Sequence, residues 1–435
     1  MRCLSELCPE LSALISESKQ QVQNKSKSAE PHNALSIPFV EFVALGALMM
    51  ALTALSIDIM LPALPQIAEE FQLASANDRQ FVVFGYLIGL GPGQLVFGPM
   101  SDRFGRRPVL LLGLSIYIIA SGIAVIASSF EMLLAARALQ GFGASAPRTI
   151  MVASVRDLFI GHQMARVMSL IMMVFLMVPV LAPAIGQVLI VFGGWKAPFY
   201  GLFLAGVLAF FWAGRRLPET RAISANDAPR IGIRAAFIRV LTTRQTVTYM
   251  LGGGFMFGCL TSFISSAQQI FVDIYNLGSF FPLAFAGTAV AMMIASFTNS
   301  RIVVRYGTRR VSHTAIVCFL LVAAVFFIIA MMPGAISVWG AWAFLSIQLF
   351  LFGLITPNFN AIAMEPQGKI AGMAASIIGF YTTLAGAFFG WLIGGAFDGT
   401  LLPISFGFAV LGIGGILVVL IGDHRLCLTS GAPRS

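Results

Sequence analysis

The stretch "GPMSDRFGRRPV", residues 98–109, crowds four charges, Asp102, Arg103, Arg106 and Arg107, into six positions between two long apolar runs. In the rest of the chain such crowding is rare. Of the 435 residues 58% are hydrophobic and 10% charged, and the mean hydropathy is +0.89, far outside soluble globular composition. Apolar runs of about 20 residues, enough to cross a ~30 Å hydrocarbon core as helices, recur along almost the whole length. A transmembrane barrel would instead alternate over ten-residue strands, a pattern not found here. The charged stretch is therefore read as a hairpin between two spans of an all-α polytopic membrane protein.

Working outward from that hairpin, the apolar runs place twelve spans, six before a polar stretch at 215–244 and six after it. The expected organisation is a tail at 1–37, a six-helix bundle at 38–214, a linker at 215–244, a second bundle at 245–422 and a tail at 423–435. The halves echo each other: "RFGRRPV" at 103–109 aligns with "RYGTRRV" at 305–311, each after the second span of its half. A weaker echo pairs Gly143 and Pro147 with Gly353 and Pro357 in the fourth spans. Two six-helix pseudo-repeats, the parallel architecture of some secondary transporters, account for both.

Lysine and arginine fix the expected orientation. With the N-terminus cytoplasmic, 23 of the 27 fall in inside segments, Arg79 and Lys196 fall outside, and Arg137 and Arg148 lie within a span. Both termini are thus expected inside. The net charge of +9 reads as topology, because no basic stripe with interleaved aromatics points to nucleic acid. Cys3, Cys8, Cys259, Cys318 and Cys427 are scattered and read as free thiols, without a disulfide frame or metal spacing. The first 36 residues are polar and have no signal-peptide core.

Within the hairpin, Gly98 and Gly105 are expected to serve the sharp turn and the close helix ends. Asp102, at the end of span 2, is expected to reach charges at neighbouring helix ends, with Arg106 and Asp157 in its network. Inside the membrane an ionisable group costs ~2.5–3.5 kcal/mol on insertion scales and is a functional candidate by default. Asp58, Arg137 and Arg148 qualify. Asp58 and Arg137 fall at similar depth and are expected to face each other, a pair able to carry and release a proton; a static ion pair is the alternative. Arg148 projects about 16 Å nearer the cytoplasm on the same helix face. With Gln268, Gln269, Asn358 and Asn360 it is a candidate for a central cavity. In span 5, Pro179, Pro183 and Gly186 predict a bent helix.

At these residues a resemblance enters. "GPMSDRFGRRPV" is similar to the loop signature of the major facilitator superfamily. "LAARALQGFGAS", 134–145, resembles the fourth-helix pattern of its proton-coupled drug exporters through Arg137, Gln140, Gly141 and Gly143. "LAPAIGQ", 181–187, resembles their fifth-helix antiporter signature, with Ala182 and Gln187 replacing two glycines. "DIMLPALPQIA" from Asp58, "VRDLF" from Val155 and "EPQGKIAGMAAS" from Glu365 resemble the Bcr/CflA branch. The resemblance implies a proton-driven antiporter of small, largely apolar drugs in a bacterial inner membrane, with Arg137 tied to proton coupling.

A metabolite uptake carrier and a non-transporting sensor stand as alternatives. An enzyme is not expected, since the four histidines sit at tails or loop ends and no nucleophile–base set or metal cluster appears. A nucleotide-driven pump would need a phosphate loop, and the chain has none. No catalytic residue, metal or cofactor is expected. The partners implied are a small solute, protons and the bilayer, with the protein a monomer.

Overall fold

The computed structural model describes residues 37–159, 161–220, 233–332 and 336–423. Most of both tails and residues 221–232 of the linker lie outside these. The described residues are helical, with no strand among them. Twelve long helices follow in order: α1 Phe39–Asp58, α2 Phe81–Phe104, α3 Arg106–Val125, α4 Phe130–Leu158, α5 Gly161–Gly193, α6 Ala197–Arg216, α7 Arg244–Gln268, α8 Phe281–Tyr306, α9 Thr308–Ala330, α10 Val338–Met364, α11 Ala371–Gly395 and α12 Leu402–Asp423. Ten described stretches are long and apolar enough to cross a membrane, and the one at 161–216 contains both α5 and α6. Helix α4 is long enough but carries Glu131, Arg137, Arg148, Arg156 and Asp157. In the linker, Ile233–Thr242 forms a short helix against α7 and α11.

The first helix ends before its apolar run does. Helix α1 stops at Asp58, and the chain bends through a 3-10 turn, Leu61–Ala63, into the short helix Leu64–Glu70. Pro62 and Pro65 have no N–H to donate and cannot continue α1.

In the first half α1 packs on α5, α2 and α3 on α4, and α3 on α6; in the second, α7 packs on α11, α8 and α9 on α10, and α9 on α12. Between halves α2 lies on α11 and α5 on α8. Exchanging the halves turns one cross-half pair into the other, as a two-fold pseudo-repeat requires. The fourth helices even start alike. Ser129 Oγ accepts from Met132 N at 3.2 Å, and Ser337 Oγ from Gly340 N at 3.2 Å, the capping that a helix start needs for its orphan N–H groups. The Gly143–Gly353 echo is not equivalent in packing, since Gly143 meets α3 at Tyr117 and Gly353 meets α8 at Ala295.

In lipid there is little hydrophobic drive between helices, so close backbone packing carries more of the association. A Cβ on Gly89 would lie 1.8 Å from Ala138 O, and one on Gly141 1.9 Å from Tyr86 O. The α2–α4 crossing therefore tolerates no side chain at either point. Exposed Ile119, Leu204, Leu208, Leu321, Ile328 and Leu417 face outward, where hydrocarbon rather than water suits them.

Candidate functional site

The α2–α3 hairpin turns at Gly105, whose φ of +101° belongs to glycine. Gly307 in the α8–α9 hairpin matches it with φ +79°. Gly98 does not serve the turn as expected. It lies inside α2, where a Cβ would come 2.4 Å from Ser376 Oγ on α11, so it permits the cross-half approach of α2 and α11.

Around the hairpin the anticipated network forms. The Arg106 guanidinium meets Asp102 Oδ1 at 2.5 Å and Asp157 Oδ2 at 2.9 Å, and donates to Ser101 Oγ at 2.6 Å. Arg106 is 5% exposed and Asp157 largely covered, while Asp102 stays half-exposed at the rim of the cluster. Glu219, just past α6, was not foreseen. Its carboxylate accepts from Arg106 N at 2.8 Å and Arg107 N at 3.1 Å, capping α3 where the dipole favours an anion. The Arg107 guanidinium donates to Gly214 O, while Arg103 stacks over Phe104. In the second half the corresponding helix ends are tied differently. Tyr249 Oη donates to Asp423 Oδ2 at 2.5 Å and lies 2.9 Å from His313 Nε2, and Arg309 Nε is 3.6 Å from Asp423. His313, read as a loop-end residue, is fully buried.

The expected pairing of Asp58 with Arg137 is not formed. Fully buried Arg137 donates from Nε to Val82 O at 2.9 Å, from one terminal nitrogen to Gln140 Oε1 at 2.6 Å and from the other to Ser56 O at 2.9 Å. Its guanidinium also sits 4.7 Å from the Tyr86 ring centroid and 5.9 Å from that of Phe199. The reason is local. Because α1 stops at Asp58, the carbonyl of Ser56 is one of the helix-end acceptors left without an intrahelical donor, and a cation there also meets the negative end of the helix dipole. Gln140 passes the connection on to Ser121 Oγ at 2.8 Å. Arg137 thus joins α1, α2, α3 and α4, with α6 contributing Phe199.

Asp58, 3% exposed at the last position of α1, has no ion-pair partner among the described residues. Its neighbour Ile59 is contacted by α5: a Cβ on Gly186 would lie 2.2 Å from Ile59 O. Pro179 and Pro183 lie within the same unbroken α5 helix. Gln187, with Val180 and Ala184, lines a cleft of about 370 Å³ against Phe280, Pro282 and Leu283 at the α5–α8 crossing. The antiporter-like segment therefore touches both the end of α1 and the second half.

The remaining cavity candidates separate. Arg148 is half-buried in α4, and among described residues it makes no ion pair or hydrogen bond; Asn360 is exposed. Asn358 is buried and donates to Asn299 Oδ1 at 2.7 Å, tying α10 to α8. Gln268 is buried, with Oε1 unpartnered.

Gln269 belongs elsewhere, at the end of the bundle opposite Gly105. There Arg79 pairs with Asp273, Gln80 donates to Gln269, and Gln269 Nε2 donates to Asn77 Oδ1 at 2.7 Å. Asn77 also donates to the carbonyls of Gly395 and Phe397 at 3.0 and 2.9 Å, and Gln80 to that of Gly394 at 3.1 Å. Sequence reasoning treated Arg79 as a loop charge. A lone polar cluster between spans gives no sign of a partner about 190 residues away.

The sequence profile of the Major Facilitator Superfamily matches residues 46–390. A bicyclomycin resistance protein homolog from Haemophilus influenzae is 31% identical over 377 residues, covering 85% of this chain and 92% of that protein. A chloramphenicol resistance protein from Pseudomonas aeruginosa is 30% identical over 352 residues, covering 78% and 79%. The crystal structure of a D-xylose–proton symporter superposes with a TM-score of 0.69 at 15% identity, over 88% of this chain and 97% of that one. At that identity the likeness concerns the fold.

Proposed function

Since the chain belongs to the Major Facilitator Superfamily, we propose that it is a proton-coupled antiporter that exports small, largely apolar drugs or toxic compounds by alternating access. The bundles at 38–214 and 245–422 rock against each other across the α2–α11 and α5–α8 crossings. The protein sits as a monomer in a bacterial inner membrane with both termini and the Gly105 end cytoplasmic, a reading supported by the arginine and lysine bias and by the bacterial relatives. Asp58 takes up the proton, Arg137 braces the helix end that presents it, and Arg148 faces the solute path.

One observation carries this reading. Asp58 is a carboxylate buried at the end of α1 without an ion-pair partner among the described residues, and its neighbouring backbone is the surface against which the antiporter-like α5 packs. Solute or proton binding at the end of α1 is thereby felt by a helix that also borders the second half. The test is purified protein in liposomes carrying a pH gradient, with chloramphenicol as the probe solute. The wild type is expected to move it against its gradient, and Asp58→Asn, nearly isosteric but unable to ionise, is expected to bind without pH-driven transport. Wild-type antiport by a folded Asp58→Asn protein would place the proton site elsewhere.

A further inference from the structure

We propose that Asn77, Arg79 and Gln80 in the first half, held against Gln269 and Asp273 in the second, form the gate that closes the transport path at the end opposite Gly105. The proposal rests on the alternating-access reading above and assigns that end's closure to particular residues. The ion pairs of Arg106, Arg216 and Arg309 each lie within one half, whereas that of Arg79 crosses between halves. The cross-half bonds of Asn77, Gln80 and Gln269 cluster around it. Toward the Gly105 end α2 and α11 meet without an ion pair, through one buried bond from Gln94 Nε2 to Thr383 Oγ1 at 3.0 Å and the close approach of Gly98 and Ser376.

Local structure presents both sides of this clasp. On the first half, the 3-10 turn Ala76–Gln80 is capped by Ser75, whose Oγ accepts from Asn77 N while its own N–H donates to Asp78. That turn holds Asn77, Arg79 and Gln80 together. On the second half, α7 passes into a π-helical turn, Gln269–Ile274, closed by Tyr275 N to Ile270 O at 3.3 Å. Residues four apart lie on one face of a helical turn, so Gln269 and Asp273 both meet the first half, at Gln80 and Arg79. Such π turns recur at functional positions because they are retained against a better-bonded α-helix.

The clasp is incomplete in a way that suits opening. Arg79 Nε and Gln80 Oε1 are buried without a partner among the described residues, and a partly satisfied polar network is less stable than a complete one. A gate that breaks once per cycle cannot be held at full strength.

Ser265, one turn before Gln269 and 1% exposed, reports on the gate, since a Cβ on Gly394 would touch both Ser265 Oγ and Gln80 Oε1. Ser265→Cys, in a protein whose native cysteines are replaced by serine or alanine, is labelled in oriented vesicles with a membrane-impermeant maleimide applied to each face separately. Arg79→Gln and Asp273→Asn are each expected to raise the labelling rate from the Arg79 end on the order of tenfold, and the double variant no further. Labelling at the parental rate, or rises that multiply in the double variant, overturns the gate. If either charge variant fails to insert, Asn77→Ala and Gln269→Ala replace it under the same criteria. Labelling requires no transport, so loss of the exporter reading and loss of the gate are told apart.

Discussion

Replacing Arg137 separates a brace from a coupling residue. Arg137→Met keeps much of the side-chain volume and removes the three donors that reach Val82 O, Gln140 Oε1 and Ser56 O. Val82 O lies within the first turn of α2 and keeps its helical bond, but Ser56 O and Gln140 Oε1 lose their donor in a fully buried place. An unsatisfied buried acceptor costs about 1–3 kcal/mol, and interhelical hydrogen bonds in membranes fall at the low end of such ranges. The two together give roughly 2–4 kcal/mol. For a chain of 435 residues unfolding as one unit that lowers the thermal midpoint by about 2–4 °C, with Arg137→Lys losing about half as much because an ammonium lacks the fork that spans both acceptors. Thermal unfolding in detergent, followed by the monodisperse fraction on size exclusion, measures this. If Arg137→Met melts at the parental midpoint and yet loses proton-driven transport, the brace is wrong and Arg137 acts in coupling directly.

Other substitutions follow from the same geometry. Gly105→Ala must hold a φ of +101° and brings its Cβ within 2.7 Å of Glu219 Oε2; about 1–3 kcal/mol of strain should appear as a lowered midpoint, and an unchanged one would remove the Glu219 cap from the account. Asp102→Asn removes charge from a half-exposed site, so stability should change by less than about 1 kcal/mol while the initial transport rate in liposomes falls; an unchanged rate would leave the motif a topological role. Gly141→Ala should abolish recoverable folded protein, whereas Gly395→Ala, with nothing within 4 Å of its Cβ, should be recovered at the parental yield, and equal yields would contradict the α2–α4 packing. Cysteines at Ser430 and Asn276 should react with impermeant reagent from the inside and the outside respectively; the reverse would invert the proposed orientation.

The twelve-helix organisation was legible in the sequence because lipid imposes it: a span must be apolar and about 20 residues long, and charges collect between spans. The Arg106–Asp102–Asp157 network was legible too, since a hairpin keeps Asp102 and Arg106 close in sequence. Positions that depend on how far a helix runs were not. Pro62 and Pro65 shorten α1, and that end, rather than the matching depth of two charges, sends Arg137 to the Ser56 carbonyl and leaves Asp58 without it. Gly98 and Gly186 read as turn or kink residues until the neighbouring helix occupies the space a Cβ would need. Arg79 and Asp273, like Gln80 and Gln269, are separated by about 190 residues, and only the packing of two halves brings them together. Sequence patterns report a residue's solvent and its near neighbours along the chain; which distant acceptor, carbonyl or helix face it meets is set by the crossing of α2 with α11 and of α1 with α5.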